Sequence, residues 1–305
     1  MSEAPTGILV VDKPVGPTSH DVVSWTRRAL GTKAVGHAGT LDPFASGVLV
    51  LLVGDATKLA SYATSADKAY RTELSLGAET DTLDREGQVV AESAVPPLDR
   101  ALIEAALALM TGPVQQLPPR FSAIKKDGVR HYERARRGEE VEVEARSVIL
   151  HAVKLLTLEG LTETSARLEL ELESGKGYYV RSFGRDLARA LGTCGHLSAL
   201  RRLRSGNYAL DRALDGERLR AASRGDLAAQ AEVRAHLVPI TRASVPLPIL
   251  EVDEQIASEL RCGKKPTLER VPQLGAGVHI AFVGEAPVAI VEARDGVVRV
   301  LRGMR

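Results

Sequence analysis

Cysteine is almost absent from this chain of 305 residues, which holds only Cys194 and Cys262. The two form no CxxC pair and stand beside no His/Cys cluster at zinc spacing, so neither a disulfide framework nor a metal centre is expected. Each thiol is read as a small apolar filler. Long hydrophobic runs are missing as well: no stretch nears the roughly 20 apolar residues of a membrane-spanning helix. The first residues lack the basic-then-apolar order of a secretory leader. The expectation is a cytoplasmic protein with no membrane partner. Internal repeats and low-complexity tracts are also lacking. A composition of 44% hydrophobic and 26% charged residues is that of a globular chain, long enough for one large domain or a large one with a small companion.

A charge excess of either sign is the next thing missing. Forty Lys/Arg face 39 Asp/Glu, for a net charge of +1. That neutrality is a cancellation of blocks. Residues 125–137, KKDGVRHYERARR, carry six Lys/Arg against Asp127 and Glu133, and residues 176–204 carry seven against Asp186. Between them, residues 139–173 hold nine acids and three bases. Either basic block alone reads as a solvated face, and both together make a polyanion a candidate partner.

Strict alternation in YRTELSLG (Tyr70, Thr72, Leu74 and Leu76 on one face) and in ARLELELES (Ala166, Leu168, Leu170 and Leu172) predicts half-buried, antiparallel strands. The more uniformly apolar GILVVD and GVLVLLVG read as interior strands, and SVILHAVKLLTLEG as a further one. Helices are predicted over about 20–30 after a Ser19 cap, 55–65 after Asp55, 99–111, and 181–192 with Gly192 closing the last. Strands and helices do not alternate in βαβ order, which predicts an α+β fold on a mixed or antiparallel central sheet flanked by helices. PITRASVPLP, 239–248, reads as a boundary between residues 1–240 and a small β-rich domain at 245–305, with a short helix and strands near 277–283, 286–293 and 296–302.

The segment GHAGTLDPFASG, 36–47, poses the functional question. Pro43 biases Asp42 to an extended backbone, and Gly39 and Gly47 permit a sharp approach and exit, so the carboxylate is displayed rather than absorbed into a helix. Such loops feeding a central strand are where sites are built, although an Asp folding onto its own turn has the same signature.

GHAGTLDPFASGVL resembles the signature of the TruB family, the pseudouridine synthases that modify uridine 55 in the T arm of tRNA. VDKPVGPTSHDVV, DKAYRTELSLGAETDTLDREG, PPRFSAIKKDGVRHYERARRGEEVEVEAR, SGKGYYVRSFGRDLARALG and LSALRRLRSG are similar to further motifs of that family, in the same order over roughly residues 6–210. The resemblance implies a pseudouridine synthase-like catalytic domain with an RNA-gripping insertion at about 118–145 and a PUA-like RNA-binding tail. It implies Asp42 as nucleophile on a flipped uridine, Arg181 holding that carboxylate ionised, and Tyr70 stacking on the base as a candidate for proton transfer. His37 would help the base leave, Tyr179 and Leu200 would line the uracil pocket, Lys13 would buttress the site, and Gly177 would allow close approach of the backbone. Phosphate contacts would come from Lys125, Lys126, Arg130, Arg136, Arg137, Arg201, Arg202 and Arg204. No metal or organic cofactor and no obligatory protein partner are implied, and the chain is expected to act as a monomer. Three positions depart from the family pattern: Ala38 in place of a common threonine, Phe121 of a tyrosine, and Ala188 of a glycine.

Two other readings stay open at this point. A hydrolase would pair Asp42 with Asp81 or Asp84 of ETDTLD. An RNA-binding or RNA-folding protein would hold its substrate without converting it.

Overall fold

The computed structural model describes residues 4–121, 125–126, 129–130, 143–264, 266, 270–271, 275–294 and 297–304. The elements that position the site are β1 (Gly7–Lys13), α1 (Ser19–Leu30), β2 (Ser46–Val53), β3 (Lys68–Leu76), α2 (Arg100–Met110), β4 (Gly112–Gln116), β5 (Arg146–Glu159), β6 (Ala166–Ser174), α3 (Val180–Ala190), β7 (Gly195–Ser205) and β8 (Leu214–Asp215). They build one mixed sheet in the order β8-β1-β2-β7-β3-β6-β5-β4, with the short strand Val35–His37 added along β2. The pairs β8·β1 and β2·β7 are parallel and the others antiparallel. This is the α+β architecture the sequence predicts.

The two kinds of strand pattern have one cause. Along β3 and β6 only one face meets the core, so Tyr70, Leu74 and Leu76 pack beside Leu168, Leu170 and Leu172 while the alternate residues stay outside. Strands β1 and β2 are covered twice. Leu9, Val11, Leu49, Leu51 and Val53 join the main core, and Ile8, Val10, Val48, Val50 and Leu52 join a second cluster on the opposite face. A strand buried on both faces has no solvent side to mark with polar residues, hence the continuous apolar runs.

The second cover comes from the C-terminal unit. Its strands β9 (Ile249–Glu251), β10 (Gly277–Val283), β11 (Ala286–Arg294) and β12 (Val297–Gly303) form a separate sheet in that order, with α4 (Glu254–Arg261) before β10. One face of this sheet packs on α4 through Ala281, Val288, Ala289 and Val291. The other sends Ile280, Phe282 and Ile290, with Met304, against β1 and β2.

Three local expectations need correction. The cap of α1 is Thr18, one residue before Ser19: its hydroxyl accepts from the Asp21 amide while the Asp21 carboxylate accepts from the Thr18 amide. The helix expected over 55–65 is a 3₁₀ segment, Gly54–Leu59, followed by one helical turn, Ala60–Ala63. Asp55 does not cap it, because its carboxylate pairs with Lys58 at 2.6 Å. Strand β7 was hidden in LSALRRLRSG, where three arginines mask a strand threaded between β2 and β3.

Because Phe282 belongs to the cluster under β1 and β2, Phe282→Ala is expected to destabilise the chain by about 3–5 kcal/mol. It should speed amide hydrogen exchange in β1 and β2 as well as in the small sheet. Acceleration confined to residues 277–303 would show that the two sheets open independently.

Candidate active site

The loop that carries Asp42 is held from four sides. Ser19 Oγ donates to the Leu41 carbonyl at 2.9 Å and accepts from the Leu41 amide at 2.8 Å. The Gly16 amide donates to the Pro43 carbonyl at 2.8 Å. Lys13, fully buried at the end of β1, donates to the carbonyls of Pro14 (2.8 Å), Pro17 (2.9 Å) and Pro43 (3.4 Å). From β7, Arg202 donates to the carbonyls of Gly39 (3.1 Å) and Thr40 (3.3 Å). The loop then enters β2 at Gly47, whose φ is +103° and whose missing Cβ would lie 2.2 Å from the Arg202 carbonyl oxygen. Only glycine fits there, which ties the exit of the loop to the β2·β7 contact.

Held in this way, Asp42 presents a half-exposed carboxylate, and Arg181 Nε meets its Oδ2 at 2.9 Å. Arg181 stands in the first turn of α3, and the buried Gln116 of β4 clamps Tyr179, the residue just before this helix, through Tyr179 N to Oε1 (2.8 Å) and Nε2 to Tyr179 O (3.1 Å). The other guanidinium nitrogens are committed. Nη1 donates to the Thr82 carbonyl (2.8 Å) and to Asp84 Oδ2 (3.2 Å), and Nη2 donates to the Phe121 carbonyl (2.9 Å). Asp84 is itself buried and accepts on Oδ1 from Thr82 Oγ1 (2.7 Å) and the Glu86 amide (3.0 Å). Arg181 therefore bridges two carboxylates, one turned to solvent and one sealed inside.

A cavity of about 240 Å³ opens at this pair and is lined by Asp42, Tyr70, Gly177, Tyr179, Arg181 and Leu200, together with Lys68, Arg202 and neighbouring backbone. It is smaller than the sites of drug-sized ligands and matches the scale of a single nucleobase. Tyr70 is buried, and burial raises its phenol pKa while the positive charge of Arg202 opposes the rise. Burial lowers Lys13 and Lys68 to about 8. Lys68 meets only carbonyls, those of Thr64 (3.0 Å) and Ala66 (2.5 Å). Among the described residues, no three or more His, Cys, Asp or Glu side chains gather as metal ligands.

Seven of the residues singled out in the sequence thus share one cavity: Asp42, Tyr70, Gly177, Tyr179, Arg181, Leu200 and Arg202. Gly177 has φ +77° and open space around its Cα, so backbone conformation rather than crowding requires glycine. Lys13 lies behind the loop, and His37 is half-buried on the short strand beside β2, outside the cavity lining.

In the second basic block, the three arginines of β7 differ in exposure. Arg202 is fully buried, with Nε on the Val48 carbonyl at 2.6 Å, which corrects its assignment to the RNA backbone: its donors are directed at protein carbonyls. Arg201 is partly exposed but bidentate to Asp12 (2.6 and 3.1 Å), and Arg204 pairs with Glu173. Lys125, Lys126 and Arg130 are described only as backbone of a two-stranded pairing, and Arg136 and Arg137 lie outside the described residues. Sequence reasoning missed Ser19 as a clamp on the loop and Asp84 as the inner partner of Arg181.

Comparison with known proteins decides the family. The descriptions "TruB family pseudouridylate synthase (N terminal domain)" and "tRNA pseudouridylate synthase B C-terminal domain" match residues 27–180 and 181–244. The chain belongs to the TruB family of tRNA pseudouridine synthases. Among its relatives, tRNA pseudouridine synthase B of Caulobacter sp. (strain K31) is 40% identical over 96% of this chain and 94% of that protein. The protein of the same name from Paracoccus denitrificans (strain Pd 1222) is 44% identical over 92% and 90%. Among solved structures, a Cbf5-Nop10-Gar1 complex matches with TM-score 0.72 at 20% identity, covering 98% of this chain and 84% of the other. An H/ACA RNP bound to a substrate RNA containing 2′-deoxyuridine matches with TM-score 0.71, also at 20% identity, covering 98% and 85%. At that identity these two speak for the fold alone. This TruB-family chain is an isomerase that makes pseudouridine in tRNA.

Two measurements follow for this TruB-family site. Asp84→Ala leaves a buried guanidinium half-partnered and should cost about 3–5 kcal/mol in urea unfolding, because a sealed ion pair loses one partner. Glu104→Ala, which removes the exposed partner of the equally exposed Arg100, should cost under about 1 kcal/mol. Equal costs would refute the buried role of Asp84. The second measurement concerns Lys68, whose folded pKa of about 8 lies below its unfolded value of 10.5. Between those values the unfolded chain holds the extra proton, so stability rises with pH through this window. Relative to Lys68→Met, the wild type should gain stability between pH 8 and 10, and parallel curves would refute the buried cation.

Proposed function

We propose that this enzyme converts uridine 55 of the tRNA T arm, with Asp42 as nucleophile on a uridine flipped out of its stack. The observation that carries the reading is the 2.9 Å pairing of Asp42 with Arg181 at a nucleobase-sized cavity walled by Tyr70 and Leu200. The isomerisation breaks the N1–C1′ bond, forms a C5–C1′ bond, removes the proton from C5 and leaves one on N1, so the RNA keeps its mass. Asp42 forms and releases a covalent bond to the substrate nucleotide, a task suited to a carboxylate that Arg181 pairs with and aims. Tyr70 stacks on the detached base and stands near C5 for the proton transfer. His37 supports the vacated stack, Tyr179 and Leu200 border the uracil, and Lys13 and Gly177 set the backbone around it.

A base inside a folded RNA elbow is out of reach of side chains, and flipping it costs a few kcal/mol. Phosphate contacts from Lys125, Lys126, Arg130, Arg136 and Arg137 in the insertion at about 118–145, and from the PUA-like unit at 245–305, offset that cost. The enzyme acts as a monomer in the cytoplasm, where its tRNA substrate is processed. The hydrolase alternative is disfavoured by Asp84, whose carboxylate is sealed against Arg181 rather than open to substrate.

The test is conversion of uridine to pseudouridine in a synthetic T-arm stem-loop by the wild type and by Asp42→Asn. Wild-type conversion with loss of at least about 10³-fold in the variant is expected, the scale typical of a removed catalytic group. Equal conversion would remove Asp42 from the chemistry, and binding without conversion by either protein would leave an RNA-folding role. Replacing Arg136 and Arg137 together should weaken binding and flatten its dependence on salt.

A further inference from the structure

Arg202 is the largest fully buried side chain of the protein and had been expected on the RNA backbone. Its surroundings give it another use. In the β7·β3 register it stands directly opposite Tyr70, and in the β7·β2 register opposite Gly47, the residue by which the Asp42 loop enters its strand. The ladder against β3 slips immediately afterwards, between Arg202 and Arg204, so the local irregularity falls where this side chain crosses between its two neighbours. Its donors divide in the same way. Nε reaches Val48 O (2.6 Å), Nη1 reaches Thr40 O (3.3 Å) and Nη2 reaches Gly39 O (3.1 Å), all on the loop-and-strand unit that displays Asp42. The guanidinium also stands beside the phenol of Tyr70, its direct cross-strand neighbour, and the two side chains line the same cavity.

We propose that Arg202 is a positioning residue of the reaction, fixing the phenol of Tyr70 relative to the main chain that displays Asp42 while touching no substrate itself. This rests on the part given above to Tyr70. An arginine suits the task because its planar fork holds several acceptors in one fixed arrangement, whereas a lysine ammonium offers a single rotating point of attachment. The charge of Arg202 also works against the burial that disfavours ionisation of Tyr70. The loop is anchored independently by Ser19 and Lys13, so loss of Arg202 should misplace Tyr70 more than it unfolds the site.

The test compares wild type, Arg202→Met, Arg202→Lys, Tyr70→Phe and the Arg202→Met/Tyr70→Phe double variant, using single-turnover conversion and binding of the T-arm stem-loop. Arg202→Met should bind within about threefold of wild type and convert about 100-fold more slowly, the scale of a displaced proton-transfer group. Arg202→Lys should recover part of the rate. The double variant should be no slower than Tyr70→Phe, because the two residues act as one unit. Multiplicative losses, or a loss seen only in binding, would overturn the proposal.

A readout without substrate separates this from the part given to Tyr70. With ¹³C-labelled tyrosine, the resonance assigned to Tyr70 by its absence in Tyr70→Phe should shift in Arg202→Met, and an unchanged resonance would overturn the tether. Should Tyr70→Phe convert RNA like wild type while that resonance does shift, the tether stands and the part given to Tyr70 falls. If Arg202→Met does not fold, Arg202→Lys carries the same measurements, with a smaller shift and a smaller loss expected.

Discussion

Everything in this site depends on one guanidinium shared between two carboxylates. Arg181 and Asp84 are both about 6% exposed, and each ion moved into such a place forfeits hydration worth several kcal/mol. That loss is tolerable only when the donors and the carboxylate oxygens all find partners. Here they do: Thr82, Phe121 and the Glu86 amide complete what Asp42 and Asp84 begin. Asp84 fixes the inner side of the guanidinium, leaving the Nε edge for Asp42 at the cavity. The carboxylate of Asp42 therefore meets a cation whose position is already settled.

The loop obeys the same constraint on the scale of backbone. A displayed Asp-Pro turn has few intrinsic hydrogen bonds, so its carbonyls must be satisfied from outside. Lys13, Ser19 and Arg202 do this from three different elements. Two of them are buried cations whose acceptors among the described residues are neutral oxygens, which adds positive charge beside Asp42. The cavity thereby favours negative charge that develops on a bound substrate.

What could be read in advance follows from how local each cause is. The Asp42 turn was legible because proline and two glycines act within five residues of it, and β1, β2, β3 and β6 were legible because burial on one face or two writes itself into a short window. Strand β7 was not, since its arginines look like a solvated surface until their counter-charges are known, and Asp12, Glu173 and the carbonyls of residues 39–48 are all distant in sequence. Asp84 was weighed only as a second carboxylate for hydrolysis, because its partner Arg181 lies 97 residues away. Ser19 failed differently: a serine opening a helix is a good cap by itself, and only the fold shows that Thr18 has taken that place and freed it to clamp Leu41.

The same reasoning ties the far end of the chain to the chemistry. Ile8, Val10, Val48, Val50 and Leu52 are all at most 4% exposed, and part of their cover is Ile280, Phe282, Ile290 and Met304. At about 1.5–3 kcal/mol for each fully buried aliphatic, this face contributes roughly 8–15 kcal/mol at most, comparable with the whole net stability of a domain. Strands β1 and β2 deliver Lys13 and receive the Asp42 loop, so the small sheet is part of the support that keeps the Asp42 carboxylate in place. A tail that also gripped RNA would then be linked to the site through packed side chains, and force on one would be felt at the other without any moving part between them.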